Sequence, residues 1–265
     1  MQSPRQWYKK FNSFMLSIDD GSFIYYFLYV DDMLIVVMDP SKIDRLKTML
    51  NSKFKMEDFN TARKIVGMEI SRDRYSRKLF LSQQRETERI LKQFAMQILK
   101  PVITLLAIYF KLFNLESPQI EDEEKYTSKV PYSNAVGSLM YAMVHTRLNI
   151  SHVVDFVSRY MYRLEKLYWQ AVKWILRYLR GTYNVCLEFG RNTKGLVGYM
   201  ESNYAEDLDQ IRYLTGYLFA FRNCAISWKA MLQSIVALST TEVGYMKMIE
   251  VVKKAIWLRS VWGAG

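Results

Sequence analysis

Tyr29-Val30-Asp31-Asp32 sets two carboxylates side by side between two apolar runs, Phe23–Val30 and Met33–Met38. Adjacent like charges repel, and desolvation between buried strands penalises both ionised forms. A divalent cation resolves that conflict. In nucleotidyl transfer two Mg²⁺ ions hold the incoming triphosphate and activate the attacking hydroxyl, which requires carboxylates converging on one point. Asp31 and Asp32 are therefore candidate catalytic and metal-binding residues. The plain alternative is an Asp-Asp turn, since Asp tolerates turn conformations.

A second grouping is basic. Arg159, Arg163, Lys166, Lys173, Arg177 and Arg180 are interleaved with Tyr160, Tyr168, Trp169, Trp174 and Tyr178. The whole chain of 265 residues carries 37 Lys plus Arg against 26 Asp plus Glu, a formal net charge of +11. Such a balance suits a phosphate-backbone binder, because Lys and Arg release counterions; an ordinary basic surface is the other reading. At helical spacing the aromatics read as core, whereas Arg159, Arg163, Lys173, Arg177 and Arg180 are candidate phosphate contacts. Two cysteines, Cys186 and Cys224, exclude a disulfide scaffold and a cysteine-based zinc site. The apolar runs are too short to span a bilayer, and Met1-Gln-Ser-Pro-Arg does not read as a secretory leader, so an intracellular setting, cytoplasmic or nuclear, is expected.

The elements that position these groups follow from periodicity. Phe23–Val30 and Met33–Met38 read as a hairpin with Asp31-Asp32 alone at its tip. Ser41–Phe54 reads as a helix with Ser41 and Asp44 as a capping pair. A strand over Lys64–Ile70 and another over Lys78–Leu81 precede a helix over Gln83–Met96. Asn114–Val130 is acidic, lacks apolar periodicity and reads as a linker. Helices are predicted over Ser133–Thr146, Ser151–Tyr162 and Tyr168–Arg180, the last closed by Gly181 as its cap residue. Short strands follow at Val185–Phe189, Leu196–Met200, Gly216–Phe221 and Ala225–Lys229, then a helix from Thr240 to Trp262.

The sequence resembles the Pol polyprotein of copia-type LTR retrotransposons over almost its whole length. The resemblance rests on Gln2-Ser3-Pro4-Arg5-Gln6-Trp7-Tyr8, Tyr29-Val30-Asp31-Asp32, Gly67-Met68-Glu69-Ile70 and Leu79-Phe80-Leu81-Ser82-Gln83. It continues through Val136-Gly137-Ser138-Leu139-Met140-Tyr141, Trp174-Ile175-Leu176-Arg177-Tyr178-Leu179-Arg180-Gly181-Thr182, Ala225-Ile226-Ser227-Trp228-Lys229 and Val236-Ala237-Leu238-Ser239-Thr240-Thr241-Glu242. It implies an α+β chain: a partial reverse-transcriptase palm and thumb over 1–115, an acidic linker over 116–131, a helical connection over 132–184, and a truncated ribonuclease H-like α/β domain over 185–265. It further implies an RNA-directed DNA polymerase with ribonuclease H, Mg²⁺ as cofactor, and an RNA/DNA template–primer duplex or other Pol segments as partners, with no membrane.

The departures from the family bear on activity. The third metal-binding Asp of the polymerase is expected upstream of Met1, and Asp19 and Asp20 are poor stand-ins. The stretch between Tyr8 and Tyr29 is shorter than the family's. Glu201, a degenerate ribonuclease H position, stands where the family has Asp, and the longer side chain displaces its carboxylate. Gly244 stands where the family's helix carries a carboxylate, and Glu242 lies about 200° around the helix from it. The expectation is a polymerase fragment inactive on its own. Its alternatives are a non-catalytic nucleic-acid-binding remnant and a translated pseudogene product.

Overall fold

The computed structural model describes residues 13–17, 23–29, 32–37, 39, 41–105, 130–161, 166–190, 195–207, 212–232 and 239–262. The chain divides into two compact units, Met1–Ile70 and Ser71–Ala264.

In the first unit, β1 (Ser13–Ser17), β2 (Phe23–Tyr29) and β3 (Asp32–Val37) form an antiparallel sheet in that order. Sequence patterning misses β1, which covers one edge of the expected hairpin. The register pairs Tyr29 with Asp32, so the two residues between the strands are Val30 and Asp31 rather than Asp31 and Asp32. Helix α1 spans Ser41–Asn51 and buries Leu46. Its start is held by Asp39 and not by a Ser41–Asp44 pair: Asp39 Oδ1 accepts from the Ser41 amide at 3.0 Å and the Ser41 hydroxyl at 2.8 Å. The strand expected over Lys64–Ile70 is a hairpin, β4 (Lys64–Ile65) and β5 (Met68–Asp73), with Ile65 opposite Met68. Val66 and Gly67 both adopt positive φ, 47° and 72°, as a two-residue type I′ connection needs. Gly67 does this without cost; a β-branched valine does not.

In the second unit, Asp73 Oδ1 accepts from the Tyr75 and Ser76 amides and turns the chain into β6 (Lys78–Ser82). Among the described residues the helices α2 (Gln84–Gln93), α3 (Tyr132–His145), α4 (Ser151–Ser158, entered through a 3₁₀ turn at Leu148–Ile150) and α5 (Lys166–Gly181) follow. The acidic stretch expected as a linker lies mostly outside the described residues. On α5, Tyr168, Trp169, Val172, Ile175, Leu176 and Leu179 recur at three- and four-residue spacing and form one buried stripe. It packs with Ala135, Val136, Leu139 and Ala142 of α3, Val154 and Val157 of α4, and Ile90 and Leu91 of α2 in one core. The Tyr132 hydroxyl, buried in that core, donates to the Val157 carbonyl at 2.7 Å and ties the start of α3 to α4. Gly181 is the last residue of α5 and has no left-handed φ; a Cβ there would lie 3.1 Å from the Val102 carbonyl oxygen, so the residue permits a close approach rather than a cap.

Strand β7 (Cys186–Phe189) pairs antiparallel with β6, Leu79 opposite Phe189. A separate antiparallel sheet runs β10–β9–β8, built from β8 (Leu196–Asp207), β9 (Arg212–Phe221) and β10 (Cys224–Leu232). Both β8 and β10 are longer than their apolar patterns indicate. Gly198 faces Phe219 across β8 and β9, and a Cβ would meet the Phe219 ring at 2.8 Å, so the buried ring requires the bare position. Trp228 on β10 is half-buried and donates to the Met143 carbonyl at 2.9 Å, locking the sheet to α3. Helix α6 spans Thr240–Trp262, as its periodicity predicts, and packs on β8 and β9.

Candidate functional site

The acidic candidates separate. Asp32 opens β3 opposite Tyr29, and Asp31 lies outside the described residues. Glu201 is not at a strand end: it sits within β8 opposite Gly216. Gly244 lies in the exposed first part of α6 with open space where a side chain would project, and Glu242 stands in the first turn with its amide capped by the Ser239 hydroxyl at 3.2 Å. Among the described residues no three Asp, Glu, His or Cys side chains gather to hold a metal ion.

The basic candidates are better assembled. Lys173, Arg177 and Arg180 recur at i, i+4 and i+7 on α5, on the face away from its buried stripe. The Lys173 ammonium lies 5.6 Å from the Trp169 ring centroid, and the Arg177 guanidinium lies 5.1 Å from that of Trp174. Arg177 Nε also donates to the Lys100 carbonyl at 2.8 Å, and Trp174 Nε1 to the Thr104 carbonyl at 3.0 Å. These bonds draw the segment after α2 alongside α5 and form a cleft of about 470 Å³ lined by Leu99, Lys100, Gln170, Lys173, Trp174 and Arg177. Sequence pattern does not single out Lys100. Nothing local marks it; it meets α5 across more than seventy residues of chain.

Arg159 is less available than its neighbours. It pairs with Asp155 at 2.6 Å and lies 5.8 Å from the Phe156 ring centroid, an i, i+4 arrangement that spends part of its charge within α4. Arg163 lies outside the described residues. The aromatics divide as well. Tyr168 and Trp169 are core residues, Tyr160 stacks on Tyr168 at 4.0 Å, and the Tyr178 hydroxyl accepts from Asn149 Nδ2 at 2.7 Å. Trp174 alone of this group is exposed.

A charge that sequence reading passes over lies beneath this surface. Arg147 is 1% exposed, and its Nη2 donates to the Thr182 hydroxyl at 2.5 Å. Among the described residues its Nε and Nη1 find no hydrogen-bond partner, and burial pulls its pKa down from the ordinary arginine value. Beside it in sequence, Thr146 donates to the side-chain oxygen of buried Gln83 at 2.5 Å, and among the described residues the Gln83 amide nitrogen finds no partner. Cys224 is a buried thiol, whereas Cys186 is half-buried. Among the described residues no helix is long and apolar enough to cross a membrane.

Residues 2–107 match a family model described as "Reverse transcriptase (RNA-dependent DNA polymerase)". Over 97% of its length the chain is 48% identical to the retrovirus-related Pol polyprotein from transposon TNT 1-94 of Nicotiana tabacum, covering 21% of that protein. Over 98% it is 31% identical to the Pol polyprotein from transposon RE1 of Arabidopsis thaliana, covering 18% of it. It is also 30% identical, over 88% of its length, to the uncharacterized mitochondrial protein AtMg00810 of Arabidopsis thaliana, and covers 94% of that relative. The chain thus spans about a fifth of the Pol polyproteins it matches. No solved structure matches it. The chain belongs to the Pol family of copia-type retrotransposons, and its first 107 residues include a reverse transcriptase-like segment.

Proposed function

We propose that the chain is a piece of a Pol polyprotein that binds an RNA/DNA template–primer duplex and neither polymerises nor cleaves nucleic acid by itself. The reading divides it into a partial palm and thumb over 1–115, a linker over 116–131, a helical connection over 132–184 and a ribonuclease H-like part over 185–265. Support for the last part is the antiparallel order of β8, β9 and β10 followed by α6. Support for inactivity is chemical. Gly244 offers no carboxylate, and Glu201 carries one a methylene too long for the family's position. The reverse transcriptase family uses divalent metal ions, and Asp31 with Asp32 would be this chain's share of such a site.

The observation that carries the binding reading is the α5 cleft, where Lys100, Lys173 and Arg177 converge beside an exposed Trp174. With Arg180 on the same face, four cations stand within reach of a phosphate backbone. Neutralising about three or four phosphates gives a log–log salt slope near −3, so affinity should fall roughly 40- to 150-fold between 50 and 200 mM salt. Titration of the purified chain against an RNA–DNA duplex tests this. A flat salt response, or binding unaffected by Lys173→Ala with Arg177→Ala, overturns the reading.

A further inference from the structure

We propose that the outer face of α6 is a self-association surface, pairing antiparallel with α6 of a second copy of the chain. The helix has one buried side and, opposite it, an exposed apolar side. Its inner side carries Lys247 and Leu258, both buried, and Glu250 is ion-paired with Lys229 of β10. Its outer side carries Tyr245, Ile249, Val252 and Ile256, exposed by 65, 53, 47 and 64%. Four large apolar side chains this exposed along one line are unusual for a surface helix.

Their spacing specifies the kind of partner. Residues 242, 245, 249, 252, 256 and 259 alternate steps of three and four, the seam of a coiled coil about two and a half heptads long. Its ends are charged oppositely, Glu242 in the first turn and Arg259 in the last, and both are exposed. The seam reads the same about a twofold axis midway between Ile249 and Val252. An antiparallel copy sets Ile249 against Val252, Tyr245 against Ile256, and Glu242 against Arg259, each twice. A parallel copy would oppose like charges at both ends. The paired stretch is about 26 Å long at 1.5 Å per residue. The self-complementarity of an isologous contact, with residue i meeting j and j meeting i, is thus already written along one helix.

The test uses the full chain in sedimentation equilibrium across about 1 to 100 µM. The expected result is a reversible monomer–dimer equilibrium that Ile249→Glu abolishes in that range. Because Ile249 is exposed, that variant should keep the helical circular dichroism of the parent. Arg259→Glu should weaken the dimer by about 10-fold, since two end pairs turn repulsive, and adding Glu242→Arg should restore the parent affinity. A chain that stays monomeric throughout overturns the proposal and leaves the stripe to another partner. A dimer indifferent to Ile249→Glu places the contact elsewhere. Charge reversal without rescue by the double variant refutes the antiparallel arrangement.

Discussion

Arg147 is the sharpest place to test the energetics of this fold. Its guanidinium is buried at the junction of α3 and α4 and, among the described residues, has one partner, the Thr182 hydroxyl, and two donors unpaired. An unsatisfied buried donor costs about 1–3 kcal/mol, so Nε and Nη1 together cost on the order of 2–6 kcal/mol. The single charge-assisted bond to Thr182 returns about 1.5–3 kcal/mol. Removing it strands nothing, because the Thr182 hydroxyl also donates to the Tyr178 carbonyl at 2.9 Å. Arg147→Met, similar in length and free of polar hydrogens, should therefore stabilise the chain by about 1–3 kcal/mol, in keeping with buried charges replaced by apolar groups. Arg147→Ala removes the same charge but leaves a cavity, which sets back about 2–5 kcal/mol. Urea denaturation reads both as midpoint shifts at unchanged slope. A methionine variant less stable than the parent by more than about 1 kcal/mol would refute the reasoning, since it would mean the guanidinium is properly solvated or paired.

Other perturbations follow from single contacts. Tyr132→Phe removes the hydroxyl that joins α3 to α4 while the Val157 carbonyl keeps the Tyr160 amide, so a loss of about 1 kcal/mol is expected in the same denaturation assay. Val66→Asn replaces a β-branched residue at φ 47° with one that tolerates it, and should raise stability by about 0.5–1 kcal/mol; a loss would deny the type I′ turn. The Cys224 thiol is pushed up to about 11, chiefly by burial, from an ordinary value of 9.0. Its folded form stays protonated where the unfolded form ionises, so stability is retained below pH 9 and falls by about 2 kcal/mol on approaching pH 11. Cys224→Ala should flatten that part of the stability profile relative to the parent.

What the sequence makes legible is local. The bounds of α6 follow from Ser239-Thr240 and an uninterrupted helical pattern to Trp262, and the stripe on α5 follows from three- and four-residue spacing. Strand β1 escapes because Ser13-Phe14-Met15-Leu16-Ser17 is too short to show alternation, and it forms by pairing with β2. The far half of β8 is polar, Ser202 to Asp207, and is drawn into the sheet by β9 and not by its own pattern. Val66-Gly67 hides a turn because a valine at positive φ carries no turn signal. The basic residues of α5 are visible in sequence, yet the cleft is not: Leu99 and Lys100 are brought to it by hydrogen bonds reaching across the fold. The burial of Arg147 is equally invisible, since composition places arginine at the surface.

Primer extension on an RNA template, with the purified chain in Mg²⁺ or Mn²⁺, bears most directly on the claim that this Pol piece binds nucleic acid without polymerising it. The account predicts a retained duplex and no extended primer under either metal. Template-dependent extension that disappears in Asp31→Ala would contradict it.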